Sequence, residues 1–320
     1  MADSPSEPRI ELVIPADDLI LPFQAGHAGI SGRLVKLGPT VDTILSRHDY
    51  PEPVSKLLGE AVALTALLGA ALKFEGKFIL QASTDGPVDL LVADYEVPGR
   101  LRGYARFSPE RVAEIAAGDA DRTLLGHGHF AMTIDRGSES ERYQGVVPLE
   151  GESLTEAADT YFRQSEQLPT FIRLAVARHY RPGEAGARSW TWRAGGLLLQ
   201  KLTHEGGHGG SQTAFDEENW TRALALAETV EDHELLDPLL PPDRLLYRLF
   251  HEEQVRAYQP LGLETYCSCS RPRVEELLQR FSAEDLDEMT VDGEVWVTCE
   301  FCNSRYHFDP ALLVKAEEQS

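Results

Sequence analysis

The sequence predicts an α+β fold in three parts: a large β-rich N-terminal domain over residues 1–205, an acidic helical linker over 206–262, and a small C-terminal domain over 263–320. Three observations carry this prediction. Strand-like segments follow one another through short turns, without the strand–helix alternation of a doubly wound sheet. Beyond residue 205 the pattern becomes helical and strongly acidic. All four cysteines lie at residue 267 or later.

Composition excludes several classes of protein. The 320 residues are 42% hydrophobic and 26% charged, which is typical of a globular chain and not of a disordered one. The formal net charge is −22, so nucleic acids and anionic membranes are not expected partners. The N-terminus lacks the basic and apolar regions of a signal peptide, and the longest apolar stretch, 61–72, is too short to cross a bilayer. We therefore expect a cytoplasmic protein with reduced thiols.

The N-terminal domain is predicted from its turns and its apolar runs. Turn signals at Asp85-Gly86-Pro87 and Pro98-Gly99 divide a meander of strands. The predicted strands are 10–14, 29–37, 77–84, 88–95, 101–107, 130–135, 143–147, 171–179 and 190–192. Between two of them, the segment Gly126-His127-Gly128-His129 is predicted to be a turn.

Two helices are expected in this domain. One opens at Pro51-Glu52-Pro53 and runs to about Phe74; it is apolar nearly all round, so we expect it to be buried on most faces. The other begins at the capping box Ser153-Leu154-Thr155-Glu156 and runs to about Gln167, before Pro169.

The linker begins with a His- and Gly-rich stretch at 204–211 that is predicted to be flexible. The segment 216–237 then holds eight acidic residues and one basic residue, Arg222, yet its apolar residues recur at helical spacing. After Pro241-Pro242, a second helix carries a stripe formed by Leu245, Leu246, Leu249 and Phe250. Such short helices must pack against another element to be stable.

The cysteines form the pattern C-x-C, 29 residues, C-x-x-C, at Cys267, Cys269, Cys299 and Cys302. Two closely spaced thiolate pairs separated by a folded insert suit tetrahedral zinc, bound as one ion per chain. The insert is expected to contain a helix at 273–281 and a strand at 294–298, and residues 306–308 a second strand. A segment of this size has little core of its own, so metal would stabilise its fold.

This zinc site has two interpretations, a structural zinc ribbon and a redox switch. The switch is favoured because every thiol of the chain is in one place and because zinc keeps thiolates deprotonated and reactive. Each pair can also close a local disulfide, C-x-x-C readily and C-x-C with strain. Oxidation would remove the zinc ligands, unfold the zinc domain and loosen the acidic helices before it.

Several short motifs, in this order along nearly the whole chain, resemble the heat-shock protein 33 family, the redox-regulated 33 kDa chaperonins of bacteria. They are GHA at 26–28, SGRLV at 31–35, DGP at 85–87, LLVADY at 90–95, GYARF at 103–107, ERYQGVVPL at 141–149, AGGLLLQ at 194–200, CSCS at 267–270 and CEFC at 299–302. The resemblance implies an α+β N-terminal domain and an ATP-independent holdase that is not an enzyme.

The resemblance also implies a mechanism of regulation. The reduced protein would bind zinc through Cys267, Cys269, Cys299 and Cys302 and be inactive. On oxidation, Cys267–Cys269 and Cys299–Cys302 disulfides would form, zinc would leave, and the metastable linker would unfold. The protein would then form a homodimer and bind unfolding client proteins.

Two other functions compete with this interpretation. His204-Glu205-Gly206-Gly207-His208 matches the H-E-x-x-H motif of zinc hydrolases, but its glycines disfavour the helix which that motif requires, so a solvated loop is expected. A zinc-ribbon adaptor, including one that binds nucleic acid, is the second; the six acidic residues and absence of basic ones in 284–294 disfavour nucleic acid.

Overall fold

A computed structural model of the chain describes residues 17–26, 29–71, 76–116, 123–137, 142–151, 153–182, 188–201 and 210–313. The predicted strand at 10–14 and the H-E-x-x-H match at 204–208 lie outside these residues. None of the described helices is long and apolar enough to cross a membrane.

The described helices are α1 Pro39–Leu45, α2 Glu52–Gly69, α3 Pro109–Ala116, α4 Leu154–Tyr161, α5 Gly210–Ala227, α6 Asp232–Leu236, α7 Pro242–Phe250, α8 Arg271–Leu278, α9 Ala283–Glu288 and α10 Pro310–Leu313. The capping box at Ser153 and Glu156 is confirmed as the start of α4, and a π-helical turn at Phe162–Glu166 completes the predicted helix.

The strands of the described residues form three sheets. The first sheet contains β1 Leu19–Ala25, β2 Ile30–Leu37, β8 Thr170–Pro182, β9 Arg188–Lys201, β10 Val255–Ala257 and β11 Leu261–Gly262. The second sheet contains β3 Lys77–Thr84, β4 Val88–Glu96, β5 Arg100–Phe107, β6 His127–Asp135, β7 Tyr143–Glu150 and β12 Glu264–Thr265. The third contains β13 Thr290–Val291, β14 Glu294–Thr298 and β15 Arg305–Phe308. The α+β class is confirmed.

The turn predicted at 126–129 is wrong, because β6 begins at His127. Two pairings decide this: Gly128 lies opposite Thr84 of β3 and opposite Leu149 of β7. Neighbouring strands on both sides therefore extend the strand through residues whose composition is typical of a turn.

Helix α2 is the centre of the main core. It packs against strands of both six-stranded sheets, and Val54, Leu58, Val62 and Leu67 are fully buried there. The helix approaches the second sheet closely at Gly103 of β5, where a Cβ would lie 2.9 Å from Val62. The predicted burial is confirmed, although α2 ends at Gly69 and not near Phe74.

The linker helices α5, α6 and α7 cover the other face of the first sheet. Phe250 of α7 stacks on Phe23 of β1 with ring centroids 5.6 Å apart. The buried residues of this second core, which we call the linker core, are Leu19, Leu21, Phe23, Ala25, Ile30, Leu34, Ala175, Leu197, Leu199, Ala223, Ala227, Val230, Leu235, Leu245, Leu246, Leu249 and Phe250. The predicted stripe of α7 is thus packed, and these helices do depend on another element.

An ion pair, a close approach at a glycine and two strand pairings also join the linker to the rest of the protein. Arg222, the one basic residue of 216–237, pairs with the buried carboxylate of Glu253, Nε to Oε1 2.7 Å. Gly195 of β9 allows α6 to approach, because a Cβ there would lie 2.5 Å from the carbonyl oxygen of Leu235. The linker also contributes strands to the first sheet, since β10 and β11 pair antiparallel with β1.

Candidate metal centre

The four cysteines lie on two loops of the C-terminal module, which we define as residues 263–313. Cys267 and Cys269 follow β12, and Ser270 then caps α8 by accepting a hydrogen bond from the backbone N–H of Arg273. Cys299 and Cys302 lie on the turn between β14 and β15. Both loops are therefore fixed at each end by regular structure.

The second loop is a tight turn held by backbone hydrogen bonds. Cys299 N–H donates to Ser304 O at 2.9 Å, and Asn303 N–H donates to Cys299 O at 2.8 Å. Asn303 has φ of 57°, a left-handed conformation that asparagine tolerates better than most residues. This geometry places the thiols of Cys299 and Cys302 on the same side of the turn as the first loop.

The four sulfur atoms all lie within 4.8 Å of one another. The Sγ atoms of Cys267 and Cys299 are 3.7 Å apart, and those of Cys269 and Cys302 are 3.2 Å apart. A tetrahedral zinc ion with Zn–S bonds of about 2.3 Å needs sulfur atoms about 3.8 Å apart. The donor set and its spacing therefore fit zinc. Among the described residues, these four cysteines are the one group of three or more His, Cys, Asp or Glu ligand atoms close enough to hold a metal ion.

Two hydroxyl groups that sequence reasoning missed contact the thiols. The Tyr306 hydroxyl lies 3.3 Å from Cys269 Sγ, and Ser304 Oγ lies 3.2 Å from Cys302 Sγ. Both residues follow the second motif by a few positions, so proximity in sequence was the available signal. Such hydrogen bonds orient thiolates and moderate their basicity at metal centres.

The thiols differ in acidity when no metal holds them. Burial raises the pKa of Cys269 well above its ordinary value, more than the Tyr306 hydrogen bond lowers it. Burial also raises the pKa of Cys302, but hydrogen bonds from Ser304 and the neighbouring thiols outweigh it and lower that pKa to about 6. Cys302 is thus the thiol that ionises more readily than Cys269.

The C-terminal module has a small core of its own. The buried residues of this core are Leu278, Leu286, Val295, Phe308 and Leu313. Arg271 extends the packing by placing its guanidinium 4.5 Å from the ring centroid of Phe308. Five buried side chains are few for a stable domain, which agrees with stabilisation by metal.

The module contacts the second sheet through the loop between Cys299 and Cys302. The guanidinium carbon of Arg102 lies 3.9 Å from the centroid of the Phe301 ring. The centroids of the Phe301 and Tyr104 rings are 6.1 Å apart. The Tyr104 hydroxyl donates to Glu300 Oε1 at 3.4 Å, and Asn303 Nδ2 donates to the backbone carbonyl of Arg47 at 2.9 Å. The candidate metal centre is therefore joined directly to the N-terminal domain.

The Hsp33 protein family model matches residues 18–309, a range that includes all three sheets, the linker helices and the four cysteines. The chain belongs to the Hsp33 family. The curated 33 kDa chaperonin of Caulobacter vibrioides is 47% identical over 298 residues, which cover 92% of this chain and 95% of that protein. The 33 kDa chaperonin of Escherichia coli O17:K52:H18 is 37% identical over 297 residues, covering 92% and 94%.

A solved structure agrees with the fold. The crystal structure of the 33 kDa chaperonin of Thermotoga maritima superposes with a TM-score of 0.68, covers 92% of this chain and 96% of that one, and is 20% identical. The Hsp33 resemblance drawn from the short motifs is therefore confirmed at the level of family and fold.

Proposed function

We propose that this Hsp33 family member is a redox-regulated, ATP-independent holdase, inactive while its four cysteines bind one zinc ion. The observation that carries the proposal is the convergence of Cys267, Cys269, Cys299 and Cys302 within 4.8 Å, at the contact between the C-terminal module and the second sheet. A chemical change at these sulfurs can therefore alter the packing of two parts of the protein.

In the reduced protein, zinc would be held by the four thiolates and would supply a cross-link between the two cysteine loops. The chain's own residues support such a site. Tyr306 hydrogen-bonds to Cys269 and Ser304 to Cys302, and the small module core would depend on the loops staying closed. Metal binding and folding of this module would then be one equilibrium.

Oxidation would proceed in two steps at each pair. A thiolate attacks one oxygen of a peroxide, forming a sulfenic acid while the other oxygen leaves as hydroxide and takes up a proton to become water. The second thiol then attacks the sulfenic sulfur, the S–S bond forms, and a second water leaves. Two peroxides would thus give Cys267–Cys269 and Cys299–Cys302. Disulfide sulfurs are poor zinc ligands, so the ion would be lost.

Unfolding of the C-terminal module would weaken the short strand pairings of the module and of the linker next to it. Strand β12 ends two residues before Cys267 and has only two residues paired with β5. Strands β11 and β10 have two and three residues paired with β1. Such short pairings contribute little alone. Opening of α5–α7 would then expose the apolar side chains of the linker core, and unfolding client proteins would bind there. The oxidised protein would form a homodimer. We place this activity in the cytoplasm and assign no enzymatic role.

The test compares reduced and peroxide-treated protein in three measurements: zinc release, free thiol content, and suppression of the aggregation of a heat-unfolded test protein. We expect two disulfides, release of one zinc per chain, and suppression only after oxidation. The disulfide partners are identified by peptide mass mapping without reduction.

Two results would contradict the proposal. Equal suppression by reduced and oxidised protein would show that the thiols do not control activity. Retention of zinc after oxidation, with no suppression, would favour a zinc-ribbon adaptor. The variant Ser268→Ala changes a residue between two cysteines and leaves every thiol in place. As a control, it should respond to peroxide as the wild type does.

A further inference from the structure

The loop between Cys299 and Cys302 covers an aromatic and basic surface, which we name the β5 patch: His48, Tyr50, Arg102 and Tyr104. Arg102 and Tyr104 point away from the main core because β5 alternates, with Leu101, Gly103 and Ala105 buried. His48 and Tyr50 precede α2, and their rings lie 4.9 Å apart. The His48 ring lies 6.0 Å from that of Tyr104, so the patch is continuous.

Two members of the patch are held by contacts that do not involve the loop. The nearly buried carboxylate of Asp94 accepts hydrogen bonds from Arg102, Nε to Oδ2 2.6 Å. The Tyr50 hydroxyl accepts a hydrogen bond from Ala105 N–H at 3.2 Å and thereby joins the segment before α2 to β5. His48 also interacts with the loop backbone. Arg102 and Tyr50 are fixed by the sheet itself, so this part of the patch keeps its form when the loop leaves.

The loop between Cys299 and Cys302 indicates which side chains the patch binds. It presents an aromatic side chain, Phe301, between the Arg102 guanidinium and the Tyr104 ring, and the acidic residue just before it, Glu300, accepts from the Tyr104 hydroxyl. Cation–π and ring–ring contacts of this kind favour an aromatic side chain, and the Tyr104 hydroxyl favours an acidic residue just before it. Burial lowers the pKa of His48, so this residue adds a neutral ring at pH 7.

We propose that the β5 patch is a second peptide-binding surface, separate from the linker core, which takes segments bearing an aromatic residue preceded by an acidic one. In the resting protein the chain's own Glu300-Phe301 occupies it. This inference rests on the proposed function, because release of the loop is what would make the patch available to a client.

Release follows from how the loop is built. Glu300 and Phe301 lie between Cys299 and Cys302, and the turn that presents them is closed by two backbone hydrogen bonds and by the position of the two thiols. A change in the sulfur cluster therefore moves Phe301 directly, without passing through the linker helices. The linker core and the β5 patch lie on different sheets, so two separate apolar surfaces would become available to one unfolded client.

The test measures peptide binding to the full-length, reduced, zinc-loaded protein. The probe is a fluorescent peptide of residues 297–304 with serine at both cysteine positions, and its anisotropy is followed. Wild-type protein should bind it weakly because Phe301 competes in the same chain. Phe301→Ala should bind it at least about tenfold more tightly, since the competitor is removed. Adding Tyr104→Ala to Phe301→Ala should abolish that gain.

Two controls separate this surface from general stickiness. Trp190→Ala removes an exposed aromatic ring of the first sheet, 56% exposed, and should leave the affinity for the peptide unchanged. A peptide with alanine at the phenylalanine position should not bind, and one with glutamine at the glutamate position should bind more weakly. Zinc content of each variant reports whether the module remains folded; if Phe301→Ala loses zinc, Phe301→Leu is used in its place.

The proposal is overturned if the Phe301 variant that keeps zinc gains no affinity, or if Tyr104→Ala does not reduce the gain. Because every measurement is made on reduced protein, the result is independent of oxidation. The β5 patch can therefore fail while the redox switch stands, and it can bind the probe even where oxidation proves not to control the protein.

Discussion

Two buried cations hold the linker to the first sheet. Lys36 of β2 is fully buried, and its Nζ donates to the carbonyl oxygens of Asp237 and Leu240 at 2.6 and 2.7 Å. Arg193 of β9 donates to Leu236 O at 2.5 Å and pairs with Asp17. Burial lowers the pKa of Lys36 to about 8, so the ammonium stays mostly charged at pH 7. Both side chains donate to carbonyl groups at and just after the end of α6, where the helix itself supplies no donor for its last carbonyl groups.

We expect Lys36→Met to weaken the linker contact by about 1–3 kcal/mol, because the carbonyl oxygens of Asp237 and Leu240 lose a charged donor. Hydrogen exchange should rise in 232–250 and remain unchanged in the second sheet. Lys56→Met, which removes an exposed lysine from a surface pair with Glu52, is the control and should change exchange little. Equal exchange in both variants would show that Lys36 does not hold the linker.

The electrostatic interaction between helices α2 and α6 makes the stability of the fold depend on pH. Glu60 of α2 is largely enclosed and faces Asp232 of α6; burial first, and then the charge of Asp232, raise the pKa of Glu60 from 4.5 to about 7. The folded protein therefore binds this proton more tightly than the unfolded chain does. The stabilisation is fully present below about pH 4.5 and is lost as the pH rises through 7.

Glu60→Gln should therefore stabilise the protein above pH 7, by up to about 3 kcal/mol, and have little effect near pH 4.5. Denaturant unfolding of reduced protein between pH 5 and 8 measures the difference. Glu52→Gln, at an exposed position on the same helix, is the control. A difference between Glu60→Gln and wild type that is the same at every pH would contradict the assigned pKa.

Substitutions in helix α7 measure how much the packing of the linker helices contributes to stability. Phe250→Ala should cost about 3–5 kcal/mol, because the ring is fully buried against Phe23. Tyr247→Ala changes the same helix at a side chain that is 63% exposed and should cost little. If the proposed function holds, Phe250→Ala will also suppress aggregation at lower peroxide concentrations; an unchanged threshold would argue against a role for this contact in switching.

In the whole molecule, the sulfur cluster should stabilise the C-terminal module and have little effect on the stability of the main core. Replacing all four cysteines with serine should raise hydrogen exchange across 263–313, because the five-residue module core cannot hold the fold alone. Strands β3–β7 of the second sheet should keep their protection, since the main core around α2 contains none of the four cysteines. A module that stayed protected in the variant would remove the physical basis of the switch.

Four features were predictable from the amino-acid sequence alone: the α+β class, most strands of the second sheet, the buried helix α2 and the four cysteines of the candidate site. These features are local: turn residues, an apolar run and short thiol spacings are all visible within a few positions. The Hsp33 family followed from the same short motifs, read in order.

Features that join distant residues could not be predicted and became visible in the folded chain. Strand β6 begins in an apparent turn because two neighbouring strands pair with it, and β10–β12 exist only by pairing with β1 and β5. Lys36 meets carbonyl groups about two hundred positions away, and Tyr104 meets Glu300 across a similar distance. No local propensity encodes such contacts, because their energy comes from burial and pairing that exist once the chain has folded.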